Sequence, residues 1–270
     1  MIWNAKNGQV SIDGTSMSYA SFGRGSKKLV ILPGLSDGLT TVRGKALLLA
    51  RPYARYFDQF TIWMFSRKDD LPEGYTIRDM ADDQAKAMKA IGIESARVMG
   101  VSEGGMIAQR LAIQHPEMVE KLVLAVTAPE TNDLIRESVT KWIAFAESGD
   151  HKSLMIDTAE KSYSESYLKK YRKAYPLLGH LGKPASYRRF LVNARAILSF
   201  SATEELGRVT CPTLIIGGEA DKIVGIEASR IIHERISGSQ LHIFHELGHA
   251  AYEEAKAFNE RVFGFLDGRE

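Results

Sequence analysis

Gly100-Val101-Ser102-Glu103-Gly104 is the stretch from which the fold can be read. Ala96-Arg97-Val98-Met99 before it reads as the end of a buried strand, and Gly105-Met106-Ile107-Ala108-Gln109-Arg110-Leu111-Ala112 after it as the helix that leaves that strand. A serine on such a turn is held in a strained conformation, with its hydroxyl pushed out at the edge of a sheet. Gly100 and Gly104 suit the turn because a side chain at either position would collide with the neighbouring strand or helix. A hydroxyl is a weak nucleophile, so the pattern carries chemistry only if the chain also supplies a base, an orienting acid and an oxyanion hole.

Outward from this turn, strand and helix signals alternate, which points to an α/β fold with a mainly parallel sheet flanked by helices. Val10-Ser11-Ile12 and Met17-Ser18-Tyr19 alternate with period two around the turn signal Asp13-Gly14. Leu29-Val30-Ile31-Leu32, stopped by Pro33-Gly34, and Phe60-Thr61-Ile62-Trp63-Met64-Phe65 are continuously apolar, as strands covered on both faces are. Thr76 followed by Asp79 marks a helix start; Ile77, Met80, Ala81, Ala85, Met88 and Ile91 recur at helical spacing, and Gly92 closes the helix. His115-Pro116 ends the helix after the turn, and Lys121 to Val126 reads as the next strand. The strand pattern then stops. Residues 130–205 read as a helical insertion, a cap over the sheet edge, dividing a core made of 1–129 and 206–270. The rhythm resumes with Thr213-Leu214-Ile215-Ile216-Gly217-Gly218, a helix through Ser229 to Ile232, a strand Leu241 to Phe244 and a last helix from about Ala250.

Candidate partners for Ser102 stand at later strand ends, in the chain order serine, acid, histidine. Asp221 lies in Gly217-Gly218-Glu219-Ala220-Asp221-Lys222, and His249 in Leu247-Gly248-His249-Ala250. Parallel strands put their C-terminal ends on one edge, so the three are expected to meet there. Glu130 and Asp133, after the preceding strand, are the rival acids; His242 and His245 flank the end of the last strand and read as structural. The oxyanion hole needs two backbone N–H groups, expected from Glu103 and from Leu35 in the loop Pro33-Gly34-Leu35-Ser36-Asp37-Gly38.

Taken together, these segments resemble the α/β-hydrolase superfamily, in particular its small esterase and lactonase-like group with a helical cap. The resemblance rests on Leu32-Pro33-Gly34, Phe65-Ser66-Arg67-Lys68-Asp69, Gly100 to Gly105, Cys211 through Asp221, and Gly248-His249, and leaves the cap unmatched. Two positions depart from the family pattern: Pro33-Gly34 stands where His-Gly is usual, and Gly225 where a proline usually follows the acid. The serine at the turn argues against haloalkane dehalogenases, which carry aspartate there. The resemblance implies hydrolysis of a small carboxylic ester by acyl transfer to water, with Ser102 as nucleophile, His249 as base and Asp221 orienting it. It implies no metal and no organic cofactor. The same residues would serve an enol-lactone, a thioester or carrier-linked ester, an aminopeptidase substrate or a C–C bond. A non-catalytic ligand receptor is the alternative from another class, since fold does not set function.

His245-Glu246-Leu247-Gly248-His249 matches the zinc signature H-E-x-x-H, which works only on a continuous helix. The preceding residues alternate like a strand and Gly248 weakens a helix, so no metal site is expected. Lone Cys211 excludes an internal disulfide framework, fits a reducing compartment and reads as buried packing. No secretory signal is visible, no apolar run approaches the ~20 residues of a membrane helix, and a cytoplasmic protein is expected. A formal charge of +2 is too small to imply nucleic acid or a membrane surface as the main partner. Within the cap, Lys161, Lys169, Lys170, Arg172, Lys173, Lys183, Arg188 and Arg189 form a basic run relieved by Glu165. It reads as a solvated helix face, or more sharply as a docking surface for an acidic carrier or an anionic substrate tail.

Overall fold

The computed structural model of the chain describes residues 2–180 and 182–269. Its strands are β1 (Lys6–Ile12), β2 (Thr15–Gly23), β3 (Lys27–Leu32), β4 (Phe60–Lys68), β5 (Ala96–Val101), β6 (Val119–Ala125), β7 (Thr213–Gly218) and β8 (Gln240–Phe244). They form an eight-stranded sheet among the described residues, in the order β1-β2-β4-β3-β5-β6-β7-β8. β2 runs antiparallel to β1 and β4, and β4 through β8 are parallel. Asp13 and Gly14 both adopt positive φ (47° and 78°), the backbone a tight two-residue hairpin needs, and this sets Ile12 opposite Thr15.

The helices are α1 (Ala46–Ala50), α2 (Ile77–Ala90), α3 (Glu103–Gln114), α4 (Asp133–Glu147), α5 (His151–Ser162), α6 (Glu165–Tyr171), α7 (Arg188–Leu198), α8 (Ile226–Arg235), α9 (Ala251–Glu254) and α10 (Phe258–Asp267). Thr76 and Asp79 cap α2 reciprocally, as their spacing suggests, and Gly92 follows the helix at φ 78°. Successive residues of the central strands feed opposite cores. Val30 and Leu32 of β3 pack with α2 and α3, while Leu29 and Ile31 pack with α1 and α10. That two-sided burial is why these strands read as unbroken apolar runs.

Between β6 and β7 the described residues contribute α4 to α7 and no strand of the sheet. A single bridge, Glu130 to Ser201, ties the two ends of the segment together. Ile135, Val139 and Trp142 of α4 and Phe190, Ala194 and Ile197 of α7 join the same core as Val30 and Leu32. The segment therefore shares its apolar core with the sheet.

Three details differ from expectation. The last helix is two, α9 and α10, because Ala255 turns to extended backbone between them. Cys211 is half-buried beside the core, where burial pushes its thiol up. Val126 is not the last residue of β6; it sits at φ 45°, rare and strained for a β-branched residue. No described helix is long and apolar enough to cross a membrane.

Candidate active site

Ser102 ends β5 and starts α3 at φ 54°, ψ −121°, a strained turn for a residue with a side chain. Glycine is required on both sides. A Cβ at Gly100 would lie 2.3 Å from the Gly104 carbonyl oxygen, and one at Gly104 would lie 2.0 Å from that of Leu32. The turn is also pinned from β6: the Ser102 N–H donates to the Ala125 carbonyl at 2.9 Å, and the Thr127 hydroxyl donates to the Ser102 carbonyl at 2.7 Å. Val126, lying between these two partners, takes the strain noted above.

Because β5, β7 and β8 are parallel, the loops that follow them meet at one edge. The loops after β7 and β8 are joined through Ala220 N–H to Leu247 O at 2.9 Å, and Ala250 N–H donates to the carbonyl of Ser162, at the end of α5, at 2.8 Å. His249 is thereby set between the other two side chains. Its Nε2 is 2.9 Å from Ser102 Oγ and its Nδ1 is 2.8 Å from Asp221 Oδ2. The other carboxylate oxygen of Asp221 accepts the Ile223 and Val224 amides at 2.8 and 3.0 Å. Burial by itself would raise the Asp221 carboxyl, but the His249 charge and hydrogen bond, with those two amides, outweigh it and hold it below the ordinary carboxylate value. A buried carboxylate so held accepts from Nδ1–H and leaves Nε2 free to take the serine proton.

The rival acids lie elsewhere: Glu130 is exposed and accepts from Ser201 Oγ, and Asp133 is exposed at the start of α4. His242 packs edge-on against Phe244, and exposed His245 pairs with Glu219 at 3.1 Å. His245 and His249 share no helix. Glu246 between them has φ 62°, so the two rings face different partners.

Around Ser102, Gly34 is extended, and a Cβ on it would come within 3.2 Å of the serine Cβ. The loop that carries Leu35 therefore lies directly against Ser102, and Leu35 opens the short helical turn Leu35–Gly38. Glu103, first residue of α3, has an N–H ahead of the first i→i−4 bond, at the positive end of the helix. Its side chain is fully buried against Arg67, Nη2 to Oε2 2.7 Å, and burial still raises its carboxyl above the ordinary range. Beside Leu35 an apolar cavity of about 140 Å³ is lined by Leu39, Trp142, Leu154, Met155 and Phe190.

A family model, serine aminopeptidase S33, matches residues 75–256, the span holding Ser102, Asp221 and His249. The chain belongs to that family. The putative carbamate hydrolase RutD of Caulobacter sp. (strain K31) is 27% identical over 218 residues, 73% of this chain and 75% of that one. The 2-hydroxymuconate semialdehyde hydrolase of Pseudomonas sp. (strain CF600) is 30% identical over 202 residues, 70% of this chain and 68% of that one. In fold, the chain is similar to MGS-M2, an alpha/beta hydrolase from a Medee basin deep-sea metagenome library, with TM-score 0.86 at 20% identity over 96% of this chain and 97% of that one. The S33 chain is thus an α/β hydrolase with the expected fold.

Several residues at the site of this S33 hydrolase escape a reading of sequence. Arg67 stands in the sequence within the Phe65-to-Asp69 segment that carries the resemblance, with nothing to show that its side chain turns inward, and it is 4% exposed. The basic cap run divides in the structure. Arg172 pairs with Glu160 and Glu165, Arg188 with Asp70, and Lys161 with Ser138 and Glu137. Arg189 turns inward to Asp37, while Lys169, Lys170, Lys173 and Lys183 are exposed. Nothing in the run distinguishes Arg188 from Arg189.

Proposed function

We propose that this S33-family hydrolase cleaves small carboxylic esters by acyl transfer to water, with Ser102, His249 and Asp221 as its catalytic residues. The observation that carries the reading is the His249 ring, within hydrogen-bond distance of both Ser102 Oγ and a buried, amide-held Asp221. In the proposed reaction His249 Nε2 removes the Ser102 proton as Oγ attacks the ester carbonyl. The Leu35 and Glu103 amides take the developing oxyanion, and Asp221 balances the imidazolium. His249 then protonates the leaving alcohol. A water, deprotonated by the same nitrogen, next releases the acid and restores the serine.

The apolar cavity beside Leu35 supports an apolar acyl or alcohol group, since its lining offers little to hold a charge. Likeness to the Pseudomonas semialdehyde hydrolase supports a second reading, C–C bond hydrolysis at the same centre. A panel of p-nitrophenyl esters, thioesters, lactones and vinylogous diketones separates the two. Esters should be turned over and Ser102 labelled by a fluorophosphonate. Ser102→Ala, folded and with an unchanged melting temperature, should lose about 10⁶-fold in kcat. Turnover of the diketones alone would favour the second reading, and substantial turnover by Ser102→Ala would refute both.

A further inference from the structure

Two arginines that touch neither Ser102 nor His249 form a buried polar chain behind the proposed oxyanion hole. Arg67, at the end of β4, uses one nitrogen for two tasks: Nη2 donates to the Glu103 carboxylate at 2.7 Å and to the Pro33 carbonyl at 2.6 Å. Its Nε and Nη1 are buried without a hydrogen-bond partner among the described residues, so the guanidinium's hold is concentrated in that bridge. The bridge joins the two segments that carry the oxyanion amides. Glu103 bears one amide itself. Fixing the Pro33–Gly34 peptide plane leaves only the two Gly34 dihedrals to set the direction of the Leu35 N–H.

The chain continues into the cap. Asp37, within the same short turn as Leu35, accepts the Arg67 backbone N–H at 2.9 Å. From α7, Arg189 donates to the Asp37 carboxylate at 3.1 Å, to the Asp37 carbonyl at 2.9 Å and to the Arg67 carbonyl at 3.1 Å. Two carboxylates and the Arg67 guanidinium are thus desolvated together with most of Arg189, an arrangement that adds little stability over apolar packing of similar size. What it supplies is position: four fixed groups in register from α7 to the residue after the nucleophile.

We propose that Arg67 and Arg189 are positioning residues of the oxyanion hole, Arg189 making the seating of α7 a condition for the Leu35 and Glu103 amides to converge. This rests on the ester-hydrolase reading above. Arg188 is the built-in control, since it is adjacent in sequence but exposed and paired with Asp70 at 2.6 Å. The test compares Arg189→Met, Arg189→Lys and Arg188→Met in kcat, KM and inhibition by an alkyl trifluoromethyl ketone, whose serine adduct mimics the tetrahedral intermediate. Arg189→Met is expected to lower kcat by about 10- to 100-fold with KM within about threefold. The ketone's inhibition constant should weaken by the same factor as kcat/KM. Arg189→Lys should regain part of the loss, and Arg188→Met should match the wild type.

A folded Arg189→Met with wild-type kcat and ketone inhibition, or a loss confined to KM, would overturn the proposal. Where Arg189→Met does not fold, Arg189→Lys decides: wild-type kcat overturns the proposal, and a parallel loss in kcat and ketone affinity supports it. Failure of the ester-hydrolase reading looks different, because the wild type itself would then turn over no ester of the panel.

Discussion

At the sheet edge Ser102 is held by backbone: flanking glycines packed against carbonyls, a positive φ, and bonds to Ala125 and Thr127. In the inserted helices α4 to α7, placement depends on side chains. Arg188 and Arg189 sit side by side on α7, yet one is spent on an exposed ion pair and the other is drawn under the loop that carries Leu35 and Asp37. Substitution at the edge is therefore expected to remove chemistry whatever the substrate. Substitution in α4 to α7 should change what is accepted, or how well the edge is set, without displacing Ser102.

The most severe test on the edge side, after Ser102 itself, is Asp221→Asn. It keeps the shape but loses the charge that sets the His249 tautomer, and kcat should fall about 10⁴-fold, measured on the best ester of the panel. The same carboxyl links to stability. Its folded value lies below the ordinary one, so its contribution is full above about pH 3.9 and is lost as pH falls through the folded value. Urea midpoints of the wild type should show that acid loss, and those of Asp221→Asn should lack this component. Gly104→Ala comes next. Its Cβ meets backbone that cannot rotate away, and a loss of about 3 kcal/mol or more in unfolding free energy is expected. If the variant melts like the wild type, the edge is less rigid than described.

On the cap side effects should be smaller and of a different kind. Met155→Trp fills part of the cavity beside Leu35. The ratio of octanoyl to acetyl ester turnover should drop by about tenfold while acetyl ester kcat stays near wild type. Equal losses on both esters would move the acyl site away from this cavity. Smallest of all, Arg172→Ala removes exposed pairs to Glu160 and Glu165 and should cost under about 1 kcal/mol in thermal unfolding, with ester kinetics unchanged. A large kinetic effect there would make the outer cap part of the site and blur the contrast.

The same contrast governs what was legible in the sequence. Gly100 and Gly104 could be read because a sharp strand-to-helix turn through a serine needs glycine on both sides. Asp221 and His249 could be read because chain order and parallel strands confine them to one edge. The alternation of β1 and β2 and the capping pair Thr76 and Asp79 are local too, and both appear where their spacing placed them. Arg67, Asp37 and Arg189 were not legible as a unit, since they come from three separate segments and a guanidinium looks the same in sequence whether it ends in water or against a carbonyl. The strain at Val126 was invisible for a related reason: an apolar run gives no sign that its last residue must turn between Ala125 and Thr127, the two residues bonded to Ser102. The division of the last helix at Ala255 is likewise absent from the spacing.

The sequence by itself determined the layered α/β sheet, the serine turn and the order of its candidate partners, because each follows from constraints acting within a few residues or from strand direction. Only the tertiary structure decided that His249 lies within hydrogen-bond distance of both Ser102 and Asp221, that Glu130 bonds Ser201 instead, and that an arginine of α7 is tied to the loop beside Ser102. Those facts depend on distances between segments far apart in the chain, which are set by packing and have no signature in any one stretch of residues.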